Sequence, residues 1–477
     1  MKMEKRKNVV ITRLWNKGLN IKTPPLGVGY LLKSIKQLSH VESNFIDAHL
    51  EELNIAETVG RIISFQPFMI GFLVFSVDYP KLKQIVPLLK SSLPKATIVV
   101  GGPHVTALPD QTLNEIPGID YVIRSEAEEA LPLLIDACMD NKTDLINIEK
   151  IPNLAYRNNG TIVHNQQRLV DVTDWREPAW DSLKPDRYPP IQHGTFHKGK
   201  KVVPIITSRG CPYPCSYCAG SLMTGKKIRT RHIEDVVDEI EYLIDKYGFD
   251  EIIIEDENFT FFKDRVINFA NEIKRRKINV HISFPNGIRL DKIDEEIAKS
   301  LQSINVYMVG LGIESGSERT LSKMRKNWNL EDINKTILLL KKYGITVRGF
   351  FILGFSDETI EDINRTIDFA VKSDLDQAYF GNYLPLPGTE DFNNLVYNGE
   401  LELENIKWEH YNSYFGKFPY HPRYVSQEIL KKLIKKATLK FYLRPKILFG
   451  FLKGAANTTF IKSMFNRFWF VFKESYS

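Results

Sequence analysis

Cysteine is scarce in this chain: there are four in 477 residues, and three of them fall in "RGCPYPCSYCAG", Arg209 to Gly220. Such usage excludes a disulfide framework and fits a reducing compartment in which thiolates are kept for metal. Long apolar runs are also missing, since none approaches the roughly 18 to 20 residues needed to span a bilayer. The opening "MKMEKRKNVVITRLW" passes directly into a strand pattern, without an apolar signal region or a small-residue cleavage site, so a cytoplasmic location is expected. Acidic residues vanish between Glu428 and Glu474, which concentrates the net charge of +6 in the C-terminal stretch and leaves the rest mildly acidic. That distribution argues against a nucleic-acid binder and for a basic C-terminal element with its own role.

What is present is an alternation of short β-rich and helical runs. From Asn8 to about Asp140, "NVVITRLW", "VESNFIDAH", "FMIGFLVFS", "TIVVGG" and "DYVIRS" alternate with helical segments such as "YPKLKQIVPLLKSSL". Five apolar strands separated by helices predict a doubly wound parallel sheet, with ligands bound beyond the carboxyl ends of its strands. A connector follows over residues 141–200, with a hairpin signal at Asn159-Gly160 and a proline-rich stretch, "REPAWDSLKPDRYPP". A second series over residues 201–390 offers six strands, from "VVPIITSRG" to "AYFGNYLPLPGT". This is too few for the eight-stranded barrel and predicts a partial (βα)6 barrel with its site at the carboxyl ends. Residues 391–477 read as a helical C-terminal region ending in the basic tail.

The three clustered cysteines, Cys211, Cys215 and Cys218, follow the first strand of the second series in a C-x3-C-x2-C spacing. A structural zinc normally closes on four protein ligands and iron-sulfur clusters are commonly held by four cysteines, so three thiolates leave a metal position open. His232 completing a zinc site is the competing reading. Cys138, in the helical "LPLLIDACMD", reads as a core thiol.

This stretch, with Tyr217 just before the last cysteine, resembles the signature of the radical S-adenosylmethionine superfamily. The resemblance implies a four-iron four-sulfur cluster whose open iron is chelated by S-adenosylmethionine, and reductive cleavage of that cofactor to a 5′-deoxyadenosyl radical. It also implies an electron donor such as flavodoxin or ferredoxin. Further positions match the family's cofactor contacts. Glu255 and Asp256 end the second strand, where a Gly-Gly-Glu motif is usual. Arg289 lies in "NGIRLD", Glu314 and Ser315 in "GLGIESGS", and Gly354 in "GFFILG", while "PLPGT" spans Pro385 to Thr389.

The N-terminal loops resemble those of the superfamily's cobalamin-dependent branch. They are "PPLGVGYL" with Pro25 and Gly27, "GGPHVTALP" with Gly101, Gly102 and His104, and "YVIRSEAEEAL" with Glu126. The resemblance implies a bound cobalamin. The loop after the first strand has no histidine for the lower face of cobalt, and His49 follows the second strand, so His49 and His104 are expected not to ligate cobalt. The implied activity is methylation of an unactivated carbon, with methylcobalamin as donor. Two other readings are a radical cyclase, oxidative or rearranging enzyme that uses cobalamin without methyl transfer, and a non-enzymatic carrier, for which an open-iron cysteine set gives no reason. The basic aromatic tail reads either as helices packed on the barrel or as a peripheral contact with an anionic membrane.

Overall fold

The computed structural model describes residues 6–16, 22–139, 148–190, 197–326, 328–411 and 418–448. Five strands open the chain: β1 (Lys7–Arg13), β2 (Val41–Asp47), β3 (Met69–Leu73), β4 (Thr97–Gly101) and β5 (Tyr121–Ile123). They run parallel in the order β2-β1-β3-β4-β5. Alternation along β1 builds two cores, one on each face of the sheet. Val9 and Ile11 pack with Leu32, Ile35 and Leu134 on one side, and Val10 packs with Ile62, Leu82 and Val86 on the other. Helices therefore cover both faces, as a parallel sheet requires.

The connector belongs to this sheet. Strands β6 (Leu154–Asn158) and β7 (Thr161–His164) form the hairpin, with Asn159 and Gly160 at φ 49° and 82°, and β6 pairs antiparallel with β5. Both turn residues occupy the left-handed region that a two-residue hairpin turn demands. The proline-rich stretch likewise packs inward rather than running as an extended linker. Trp180 is buried and its indole donates to Glu239 at 2.8 Å, while the Tyr188 hydroxyl donates to Asp47 at 2.6 Å.

The second sheet begins with β8 (Val202–Ile205). A short antiparallel pair follows, β9 (Ser208–Arg209) with β10 (Arg229–Thr230), and the sheet continues through β11 (Glu251–Ile254), β12 (His281–Ile288), β13 (Val306–Glu314), β14 (Thr346–Leu353) and β15 (Gln377–Asn382). Six strands stand side by side in chain order, all parallel, with β8 and β15 at the edges. This is the open partial barrel expected from the sequence.

The edge at β15 is covered by the helix Gln427–Tyr442, which begins at the side-chain cap of Ser426. Leu430, Ala437 and Phe441 are buried, and the Tyr442 hydroxyl donates to the carbonyl of Ala378 at 2.9 Å and accepts from its amide at 3.3 Å. Covering an edge in this way blocks unwanted pairing. Arg444 then donates to the carbonyls of Val371, Ser373 and Leu375. The start of the basic tail is thus packed on the barrel, and its aromatic remainder from residue 449 lies outside the described residues. Among the described residues no helix is long and apolar enough to cross a membrane.

Candidate active site

The cysteine segment is a loop closed at its neck by β9 and β10. Asp256, at the end of β11, sets its entrance: it accepts from the Thr207 amide (2.6 Å), the Thr207 hydroxyl (2.6 Å) and the Ser208 hydroxyl (2.5 Å). Gly210 follows at φ 101°, and a β-carbon there would run into the Lys227 carbonyl, so the neck needs glycine. Glu257 then ties the two ends of the loop, accepting from the Gly210 amide at 3.1 Å and from the Thr224 hydroxyl at 2.7 Å. Ser216 anchors the middle. Its amide and hydroxyl donate to the carbonyls of Met324 and Lys323, and its own carbonyl accepts from the Asp391 amide at 3.0 Å.

Held in this way, the three cysteines lie near enough to act on one another electrostatically. Burial pushes each thiol up, and the neighbouring cysteines and the carboxylates of Glu257 (toward Cys211) and Glu314 (toward Cys215 and Cys218) add to the rise. Two cations oppose it. Lys326 faces Cys215 and Cys218, and Arg289 faces Cys211 and Cys215. Arg289 lies 3.1 Å from the ring centroid of Tyr213 and 4.5 Å from that of Trp328, and its guanidinium forks onto Asp291 at 2.8 and 3.1 Å. Lys326 donates to Glu314 at 3.0 Å and to the Gly312 carbonyl at 3.1 Å, and Glu314 also accepts from the partly buried phenol of Tyr217. Glu314 itself sits at φ 69°, an unusual conformation for a non-glycine residue and one that turns the chain at the end of β13.

These residues fit a cluster. Three neighbouring thiols flanked by the cations Lys326 and Arg289 suit a polynuclear centre, which carries net negative charge. His232 sits at the N-cap position of the helix Ile233–Tyr247, and the charge it faces is Asp171 rather than the cysteines.

The structure sorts the remaining expected residues. Tyr217, Arg289 and Glu314 gather around the thiols. The side chain of Glu255 is hydrogen-bonded to Asn286. Asp256 spends both carboxylate oxygens on the neck, and Ser315 is fully buried against Thr366 at 2.8 Å. Gly354 donates its amide to Glu358 at 2.7 Å and abuts Leu430. Three residues that the sequence does not single out join the site: Lys326, Glu257 and Tyr213. Lys326 is one of many lysines, and nothing in its neighbourhood marks it out.

In the N-terminal sheet, Pro25 caps the helix Leu26–Lys36, and the space around Gly27 is open: a β-carbon added there would meet no atom within 4 Å. Gly101 ends β4. Gly102, at φ 113°, passes so close to Val74 that a β-carbon would meet its backbone at 2.8 Å. His104 is 1% exposed, hydrogen-bonded to Ser76 at 3.0 Å and enclosed by Tyr79 and Trp408 at 4.3 and 4.7 Å, and burial pushes its pKa down to about 3. Glu126 points to the cysteine loop, where it meets Arg209 and Arg229.

A cavity of about 440 Å³ opens beyond β1, lined by Leu14, Trp15, Asn54, Ile55 and Lys81. It lies where the strand order reverses between β1 and β3, the crevice in which doubly wound sheets take ligands. A larger cavity of about 680 Å³, between the helices Ile233–Tyr247 and Lys263–Arg275, is lined by none of the cysteines. The carboxyl ends of the two sheets face each other. The Ser125 hydroxyl, beyond β5, donates to the Met223 carbonyl, and the turn at Gly388 is wedged between Leu222 and Ala107.

Two cofactor-dependent halves with facing sites define a class of enzyme, and comparison with known proteins places the chain within it. The radical SAM superfamily profile matches residues 205–370 and the B12 binding domain profile matches residues 19–135. An uncharacterized methyltransferase of Pyrococcus horikoshii is 31% identical over 95% of this chain and 92% of its own length. The anaerobic magnesium-protoporphyrin IX monomethyl ester cyclase of Rubrivivax gelatinosus is 27% identical over 82% of this chain and 68% of its own. The fold matches that of the radical S-adenosylmethionine methyltransferase TsrM of Kitasatospora setae, solved with cobalamin and a four-iron four-sulfur cluster. The TM-score is 0.68 at 18% identity, over 82% of this chain and 78% of that one. The chain belongs to the cobalamin-dependent radical S-adenosylmethionine enzymes, with a four-iron four-sulfur cluster, S-adenosylmethionine and cobalamin as cofactors.

Proposed function

We propose that this enzyme is a C-methyltransferase acting on an unactivated carbon. The observation that carries the reading is the placement of the three-cysteine loop against the carboxyl end of the N-terminal sheet, to which Ser125 and Glu126 tie it. When bound, the cofactors supply a one-electron cleavage that generates a carbon-centred radical and a methyl group for transfer. Cys211, Cys215 and Cys218 would hold the cluster. Glu314, oriented by Tyr217 and Lys326, offers a carboxylate toward the amine of S-adenosylmethionine, and Arg289 and Lys326 offer cations toward its carboxylate. Glu255 and Gly354 would line the same face of the barrel. In the N-terminal half, Pro25, Gly27, Gly101 and Gly102 would border the corrin, with the sheet and its added hairpin forming the cobalamin domain.

Anaerobic turnover with methyl-labelled S-adenosylmethionine tests the proposal, with label expected in the product. Deoxyadenosine formed without methylated product would instead favour a cyclase or rearranging enzyme, a reading supported by the likeness to the Rubrivivax gelatinosus cyclase. We also infer a cytoplasmic enzyme reduced by a flavodoxin or ferredoxin; for the basic C-terminal tail, packing on the barrel is the first reading and peripheral contact with an anionic membrane the second. Vesicle flotation of the full chain and of a chain ending at residue 448 checks that contact; equal binding by both would remove it.

A further inference from the structure

Arg209 and Arg229 stand directly opposite each other in the β9-β10 pair. Like charges in that position repel, and at the neck of the cysteine loop both are largely withdrawn from water. What stabilises them comes from the other sheet. Glu126 accepts from Arg229 through both carboxylate oxygens at 2.8 Å and from Arg209 at 3.2 Å, and Glu128 accepts from Arg209 at 2.7 Å. The carboxylates are only 5% exposed. Arg229 also donates to the carbonyls of Val170 and Thr224 at 2.6 and 2.7 Å, and Arg209 lies over the ring of Tyr30 at 4.6 Å. The Val170 amide returns a bond to Glu126 at 2.9 Å. Two carboxylates from the loop after β5 thus neutralise two guanidiniums that bracket the cysteines. Separating the loops would leave buried charge unpaired, which is strongly unfavourable.

We propose that Glu126 and Glu128 are positioning residues which, through Arg209 and Arg229, fix the cysteine loop against the N-terminal sheet and so set the cluster relative to the cobalamin. The Ser125 to Met223 hydrogen bond and the wedged turn at Gly388 make the same junction from its other sides. Glu126 therefore acts on the cofactors through the loop and not by touching the corrin. The placement relative to cobalamin rests on the reading of the N-terminal sheet as the cobalamin half. The fixing of the loop does not.

The test uses the full chain with Glu128→Gln, Glu126→Gln and both together, and the single Glu128→Gln change removes only one contact should the others fail to fold. Amide exchange in the protein before cofactor loading reads the strut directly. Exchange over residues 209–229 is expected to rise by about tenfold or more, while the β1 and β13 amides stay protected. After loading, iron and hydroxocobalamin stoichiometries stay at wild-type values, but the spin coupling between cob(II)alamin and the reduced cluster changes and methyl transfer slows. Arg209→Gln, which removes the charge, changes the coupling likewise, and Arg209→Lys, which keeps it, recovers part of the wild-type value. Unchanged exchange at residues 209–229, or an increase spread evenly over the chain, overturns the proposal. Should the wild-type protein take up no corrin, the functional reading fails while the exchange result still decides the strut.

Discussion

The cysteine loop and the N-terminal loops that face it are built on different principles. In the cysteine loop, side-chain chemistry is the site: three sulfurs with a required spacing, two cations beside them, and Asp256, Glu257 and Ser216 holding the backbone. In the N-terminal loops the polar side chains are spent on structure. His104 lies in an aromatic box, Glu126 is a strut to the other sheet, and Gly102 answers to Val74. What those loops leave unfilled is backbone and open space, as around Gly27. A metal cluster is held by bonds to particular atoms, whereas a large flat ring can be held by shape.

The comparison is broken most severely by Cys215→Ser. The fold is expected to survive, with a stability change of about 1 kcal/mol or less, while absorbance and electron paramagnetic resonance show loss of the intact cluster and turnover falls to background. Hydroxocobalamin uptake should be unchanged, because that site takes nothing from the sulfurs. Gly210→Ala comes next. Its β-carbon meets the Lys227 carbonyl and its φ lies in the left-handed region, so about 1 to 3 kcal/mol is lost. Iron occupancy after reconstitution should drop with it, and thermal melting beside iron analysis measures both.

The same contrast explains what is legible in the sequence. Spacing singles out the cysteines, and alternation locates all six strands of the barrel and the five parallel strands of the first sheet. The hairpin at Asn159-Gly160 is readable from its turn, but its pairing with β5 is not, since a strand's partner is decided by tertiary packing. Glu126 resembles a ligand residue because carboxylates on loops beyond strand ends usually face the ligand. Only coordinates reveal that two arginines some 80 and 100 residues later in the chain need it. Asp256 and Ser315 do stand at strand ends, yet their side chains turn inward. Periodicity places a residue at the end of a strand but not the rotamer beyond it.

His104→Phe sharpens the N-terminal side. The folded-state pKa of about 3 lies below the ordinary histidine value near 6.5, so the unfolded chain binds a proton that the native chain refuses between those values. This histidine's penalty is absent above about pH 6.5 and grows as pH falls toward 3, with a slope approaching about 1.4 kcal/mol per pH unit. The phenylalanine variant loses that slope, measured by denaturant melts between pH 7 and pH 5. Its cobalamin affinity should match wild type if the ring serves packing, whereas a cofactor contact predicts weaker binding.

The smallest effect on stability carries the finest distinction. Gly27 lies in the first turn of the helix Leu26–Lys36, with no atom near enough to obstruct a methyl group. Gly27→Ala should therefore leave the apo protein unchanged or stabilise it by about 0.5 kcal/mol, by narrowing the unfolded ensemble. If backbone and space are what the N-terminal loops offer, the same methyl group stands where a corrin edge would lie, and hydroxocobalamin affinity falls although stability does not. A gain in stability with unaltered affinity would place the corrin elsewhere, and the open space at Gly27 would be surface. Since one variant moves the two quantities in opposite directions only when the ring packs against this turn, paired melts and spectrophotometric titrations separate a shape-built site from an incidental gap.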